Sequence, residues 1–161
     1  MEPQNCLTQL ARLISTEASG LHELAGLLDG EHELLQSNDI EGLQGAMRER
    51  QRCIARVVRA DEDRRSLCRN LGYEPDVQGL EQLMRWCDPT GTLAKDWAEC
   101  ASAAAACRQR NDRNGALVNA RLQNVQGRLG VLVQGTRDQF TYGRRSAYNL
   151  VNVGRVVATE A

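Results

Sequence analysis

The segment Cys6–Gln36, CLTQLARLISTEASGLHELAGLLDGEHELLQ, places Leu7, Ile14, Leu21, Leu28 and Leu35 at strict seven-residue intervals. Leu10 and Leu24 fill two of the intervening d positions. Four heptads of this pattern predict one long helix with a coiled-coil-like seam. About 30 helical residues span roughly 45 Å at 1.5 Å each. The d positions Glu17 and Glu31 interrupt the seam, so a dry zipper is not expected. The chain that grows from this segment is predicted to be all-α: an elongated antiparallel bundle or coiled coil of three long helices plus one short helix, ending in a flexible C-terminal tail.

Ser37-Asn38-Asp39 is the first break. Asn38 with Glu41 three residues on has the chemistry of a capping box, with Asn38 as the expected N-cap. The second helix runs to about Leu71, with Ile40, Leu43, Met47, Ile54, Val57, Cys68 and Leu71 as its expected inward seam. So short a connection implies an antiparallel hairpin. Charge agrees. Residues 1–41 hold eight acids and one arginine, 1 − 8 = −7, whereas residues 48–69 hold eight arginines and four acids, 8 − 4 = +4. Opposite signs favour association of the two helices, although each exposed pair is worth only about 0–1 kcal/mol.

Gly72 suits a left-handed position after the second helix, and Pro75 blocks its continuation. A short helix is expected over Val77–Cys87 with Leu80, Leu83 and Met84 inward. Asp88-Pro89-Thr90-Gly91 makes a turn, and Thr92 is the expected cap of the next helix. The third long helix starts near Leu93. Its seam is Leu93, Trp97, Cys100, Ala104, Cys107, Asn111, Asn114, Val118, Val125 and Leu132. The stretch Arg110-Asn111-Asp112-Arg113-Asn114-Gly115 interrupts it with two asparagines on one face and a glycine that costs about 1 kcal/mol relative to alanine. Leu117, Val118, Leu122, Val125, Leu129 and Leu132 continue the apolar pattern, so the helix is expected to run through Gly115. Such polar insertions mark a register layer, a kink or a recognition site. Asn111 and Asn114 therefore have two readings: hydrogen-bonded register layer, or contact with a partner. Leu117–Leu132 are expected to be partly exposed, because the first two helices are too short to cover the whole third helix. From Thr136 the pattern fails, and residues 136–161 are expected to form a tail that orders on binding. The domain reading is 1–135 helical, 136–161 tail.

Composition excludes several functions. With 161 residues and a net charge of −1, the chain has no bulk electrostatic case for nucleic acid or an anionic membrane. The arginine run of the second helix has no interleaved aromatics and faces an acidic helix, which disfavours phosphate binding. No apolar run nears the roughly 20 residues that a bilayer span needs. The N-terminus lacks a basic n-region and an apolar h-region, so no signal peptide is expected and the chain is placed in the cytoplasm. Six cysteines at 6, 53, 68, 87, 100 and 107 form no Cys-x-x-Cys pair, and read as small apolar packing residues. A di-iron bundle needs two Glu-x-x-His motifs, and the two histidines, His22 and His32, do not supply them. Both read as solvated. No phosphate loop, nucleophile elbow or Ser/His/Asp set is present, so no enzyme and no cofactor are expected.

Four local features together resemble the FlgN family of flagellar type III export chaperones. They are the acidic first helix with the Arg-rich second helix ending in Leu67-Cys68-Arg69-Asn70-Leu71-Gly72-Tyr73; the short helix with Leu80 and Leu83; Asn111-x-x-Asn114-Gly115; and Tyr142-Gly143 opening a polar tail. They occur in the expected order over nearly the whole chain. The chain departs in carrying Thr141, where the family often has an aliphatic residue before Tyr-Gly. The resemblance implies a cytosolic protein that binds the C-terminal helical ends of hook–filament junction proteins, prevents their premature assembly and delivers them to the export gate. It implies cargo contact through Leu117, Val118, Leu122, Val125, Leu129 and Leu132, and contact between Tyr142 and the cytosolic domain of the export gate; Asn111 and Asn114 are added as candidate cargo contacts on their own chemistry, beside the register-layer reading. Neither nucleic acid nor stable membrane insertion is implied. The alternative is a coiled-coil adaptor that oligomerises through its seams without an export role.

Overall fold

The computed structural model describes the backbone of residues 1–133 and the side chains of residues 1–126. Four helices and no strands are found among the described residues: α1 (Pro3–Ser37), α2 (Ile40–Asn70), α3 (Val77–Cys87) and α4 (Thr92–Val133). The all-α architecture of three long helices and one short helix is as the heptads predict. The expected tail, residues 136–161, lies outside the described residues.

α1 is the central helix, and both α2 and α4 pack along it. Contacts fix the directions. Glu17 meets Arg64 and Glu31 meets Arg50, so α2 runs antiparallel to α1. Cys107 meets Leu21, Asn114 meets Leu28 and Arg121 meets Asn38, so α4 runs parallel to α1. The core consists of Cys6, Leu10, Leu13, Ile14, Leu21, Leu24 and Leu28 of α1 with Cys53, Val57, Leu67 and Cys68 of α2, Leu80, Leu83 and Cys87 of α3, and Leu93, Cys100, Ala103, Ala104 and Cys107 of α4. Ala103 and Ala104 carry little side chain, which lets α4 lie close to α1. All six cysteines are buried free thiols. Burial pushes the Cys100 and Cys6 thiols up to about 12, well away from the reactive thiolate range.

The polar d positions of α1 are answered by α2. Glu17 is fully buried and accepts from Arg64 Nε at 2.9 Å, while Arg64 also donates to Asp61 at 2.5 Å. Arg65 donates to the other Asp61 oxygen at 2.9 Å, and the Arg64 guanidinium lies 4.8 Å from the Trp97 ring centroid. Fourteen residues along each helix, Arg50 donates to Glu31 at 2.8 Å. These two buried ionic layers pin the antiparallel register, since a slip would strand Glu17, Glu31 and Arg50 without a partner in the core. Burial pushes both the Glu17 and the Glu31 carboxyls up, with the partner arginine pulling each back.

This arrangement corrects the expected seam of α2. Ile40 and Met47 are exposed, at 63% and 45%, and the buried positions are Arg50, Cys53, Val57, Ala60, Asp61, Arg64, Leu67 and Cys68. Val57 and Cys68 of the expected seam are core, and Ile54 and Leu71 pack against it; the seam fails at Ile40 and Met47, and it misses Arg50, Asp61 and Arg64, because an apolar period cannot register paired charges at core positions. Two capping assignments also change. Asn38 ends α1 in the left-handed conformation (φ 59°), and the N-cap of α2 is Asp39, whose carboxylate accepts from Gly42 N–H at 2.9 Å. Asparagine tolerates that conformation and aspartate caps well, so the two neighbours divide the tasks. At α4, the Thr92 hydroxyl donates to Asp88, and it is Asp88 that accepts from Leu93 N–H, at 2.7 Å. These hydrogen bonds hold the Asp88 carboxyl below its ordinary value.

α3 matches its predicted bounds. Gly72 takes φ +81° after α2, as the sequence leads one to expect. Gly79 sits against the Glu74 backbone where a Cβ would clash, so α3 packs tightly onto its own entry loop. Leu80 and Leu83 are fully buried, and Trp97, a position of the expected α4 seam, packs against the core.

Candidate functional site

α4 is continuous through Gly115, which faces open space. Helix geometry alone then dictates where its later side chains point. Eighteen residues are five full turns, so Val118 and Val125 share the faces of Cys100 and Cys107. Cys100 is fully buried and Cys107 is 6% exposed, whereas Val118 is 39% and Val125 54% exposed. The same helical face changes from core to surface although α1 still runs alongside α4 as far as Arg121, which reaches Gln36 and Asn38. Leu122 is also 54% exposed, and Leu117 is half-buried. α4 therefore carries an exposed apolar stripe that starts beside the turn end of the hairpin, made of positions that would be core if another helix lay against them.

A polar clamp precedes the stripe. Asn114 is buried and its amide Nδ2 donates to the Leu28 carbonyl at 2.7 Å. Its Oδ1 is therefore the acceptor for His32 Nδ1, 3.0 Å away. In the neutral imidazole this tautomer leaves His32 Nε2 to accept from Gln36 Nε2 at 3.0 Å. Asp29 receives Arg110 at 2.8 Å and Arg113 at 2.9 Å, and these donors hold its carboxyl below the ordinary value. One turn beyond Leu117, Arg121 donates to Asn38 Oδ1 at 3.1 Å and to the Gln36 carbonyl at 3.3 Å. At this level α4 holds α1 through polar, exposed contacts, whereas Val118, Leu122 and Val125 face solvent.

The sequence-predicted site residues divide accordingly. Asn114 is committed to α1, which favours the register-layer reading over partner contact. Asn111 is half-buried nearby. Val118, Leu122 and Val125 lie exposed on the projecting part of α4. Leu129 and Leu132 belong to α4 but lie beyond the described side chains, and Tyr142 lies outside the described residues altogether. His32, read as solvated, is instead a member of the clamp; His22 is exposed beside Glu99 at 3.7 Å. The clamp residues Asp29, Gln36, Arg110, Arg113 and Arg121 were not singled out by sequence. For Asp29, Arg110 and Arg113 the signal is charge, an acidic first helix and a basic stretch of α4 at the same register; Gln36 and Arg121 make neutral-partner hydrogen bonds that charge does not mark.

Replacing Asn114 with alanine is expected to cost about 1–3 kcal/mol, because the His32 donor and the Leu28 carbonyl lose a buried partner. Thermal unfolding measures the loss, and hydrogen exchange should show it concentrated in α4 after Cys107. An unchanged melting temperature would mean that the clamp contributes nothing.

Among the described residues, no group of three or more His, Cys, Asp or Glu side chains is arranged to hold a metal ion. No described helix is long and apolar enough to cross a membrane. The site is an apolar helix face that no other helix covers among the described residues, suited to binding another helix.

No curated protein and no solved structure is significantly similar to this chain. The family model described as FlgN protein matches residues 1–149, which is most of the chain. The match spans all four helices, the clamp and the projecting stripe, and on that extent the chain belongs to the FlgN family, a family of flagellar export chaperones.

Proposed function

We propose that this chain is a cytosolic, non-catalytic chaperone that holds the C-terminal helical ends of hook–filament junction proteins until export. The observation that carries this reading is the exposure of Val118, Leu122 and Val125 on a helical face that is core elsewhere in α4. A cargo end that coils with its neighbours in the finished filament is apolar and helical. Lying along this face, it replaces the missing hairpin and is kept from premature assembly. Leu117 is partly available on the same segment, and Leu129 and Leu132 extend the pattern along the helix. In this reading residues 1–135 form the cargo-binding domain, and residues 136–161 carry Tyr142 to the cytosolic domain of the export gate. The reading calls for no cofactor, no nucleic acid and no membrane insertion.

Calorimetric titration of the full chain with the C-terminal segment of a hook–filament junction protein tests it. Saturable one-to-one binding, with new hydrogen-exchange protection from Gly115 onward, is the expected result. No binding, together with a mass that rises with concentration in sedimentation, would replace this reading with a coiled-coil adaptor that pairs through the same stripe.

A further inference from the structure

The exposed face of α4 has a counterpart on α2. Ile40 and Met47 are the exposed large apolar residues of α2. Met47 precedes Arg65 by eighteen residues, five full turns, and Ile40 precedes it by twenty-five, close to seven. Both therefore lie on the face from which Arg65 donates to the Pro75 carbonyl in the loop leading to α3, at 3.0 Å. This is the side of the hairpin on which α3 is docked. On α4, Leu122 follows Trp97 by twenty-five residues, so it shares the face on which Trp97 meets Arg64 of α2.

The two faces are also level. Arg121 reaches Asn38 and the Gln36 carbonyl, which puts Leu122 beside the α1–α2 turn and hence beside the start of α2 at Ile40. Arg50 pairs with Glu31, the neighbour of His32, which pairs with Asn114. Met47 is about one turn before Arg50 in α2, and Val118 about one turn after Asn114 in α4. Yet α2 and α4 are not packed against each other along their lengths.

The other end of the same hairpin shows what fits such a space. There α3 packs on α1 and α2 together. It buries Leu80, Leu83 and Cys87, at i, i+3 and i+7, in the core that holds Cys6 of α1. At the turn end no described helix takes that place. We infer that Ile40 and Met47 of α2 with Val118, Leu122 and Val125 of α4 form the two walls of one cleft. Its occupant is a short amphipathic helix with apolar residues at i, i+3 or i+4, and i+7, seated on the hairpin as α3 is seated at the far end. The inference rests on the chaperone reading and deepens it: the helix is the terminal helix of the cargo, and α2, not only α4, selects it.

The test compares three forms of the full chain in titrations with the C-terminal segment of a hook–filament junction protein: wild type, Ile40→Asp/Met47→Glu, and Leu122→Asp/Val125→Asp. Both α2 changes are at exposed positions, and at Ile40, in the first turn of α2, an acid is also favourable, so circular dichroism and melting temperature should match wild type. The expected result is binding weakened about tenfold or more by the α2 pair, as burial of two apolar side chains is lost. The uncharged pair Ile40→Ser/Met47→Gln must weaken it too, which removes introduced charge as the cause. Wild-type affinity in the α2 variants, with binding lost in the α4 variant, overturns the second wall and leaves the chaperone reading standing. Absence of binding by the wild type overturns both.

Discussion

Replacing Arg64 with alanine is expected to destabilise the protein by about 3–5 kcal/mol, the cost of stranding buried charge. Arg64 is 5% exposed and holds Glu17 and Asp61, both almost completely buried. Asp61 keeps Arg65, but Glu17 keeps nothing: its Oε1 already lacks a hydrogen-bond partner among the described residues. The cation–π contact with Trp97 is lost as well. Set against a total stability of roughly 5–15 kcal/mol, this is a large fraction. For a chain of this size it lowers Tm by on the order of 10 °C.

The pH dependence separates this mechanism from simple loss of packing. Burial already pushes Glu17 up, and Arg64 is the chief group pulling it down. Without Arg64 the folded-state value rises further, so the folded protein binds a proton more readily than the unfolded one. An acid with a raised folded value is most stabilising below its ordinary value of 4.5, and that stability is lost as pH rises through the folded value. The gap in Tm between variant and wild type should therefore narrow on acidification toward pH 4.5 and widen toward neutrality. A gap independent of pH would mean that the stranded carboxylate is not the cause. Replacing Glu17, Asp61 and Arg64 together by apolar residues of similar volume should restore most of the loss, since a buried ion cluster is often no more stabilising than good apolar packing.

The second large effect is on binding. Leu122→Asp with Val125→Asp is expected to weaken cargo binding by about a hundredfold or more. Each apolar side chain contributes about 1.5–3 kcal/mol when fully buried, and an aspartate in its place must be desolvated without a partner. Both residues are 54% exposed in the free protein, so folding should barely change. Substitutions at such positions are usually within about 0.5 kcal/mol. Calorimetry measures the first expectation and thermal unfolding the second. Unaltered affinity in a well-folded variant would move the cargo site off this part of α4.

How much of this was legible in the sequence differs from helix to helix. The heptads of α1 stated a long helix, and the short connection at residues 37–39 stated a hairpin. Gly72 and Pro75 bounded α2, and Leu80 with Leu83 marked the buried side of α3. These follow from local rules of period, turn chemistry and capping, which the chain carries residue by residue. The expectation that α4 outruns its cover also came from lengths alone, since helix rise is nearly constant.

Other features were decided only by the packed helices. Period counting treats a charged residue as a mark against burial, so it passed over Arg50, Asp61 and Arg64 and assigned Ile40 and Met47 to the core of α2. Glu17 and Glu31 were visible as interruptions, but their partners lie nineteen to forty-seven residues away and no local rule connects them. The same holds for Asn114. Its side chain is poor helix-building material by propensity, and whether it serves a partner or a register layer depends on what stands opposite. His32 and the Leu28 carbonyl stand there, more than eighty residues back in the chain. Sequence determined the helices and the length of α4 because those are set by short-range geometry. Tertiary structure decided which polar residues are core and which apolar residues are surface, because the free energy of a buried charge or an exposed leucine belongs to the pair in contact and not to the residue alone.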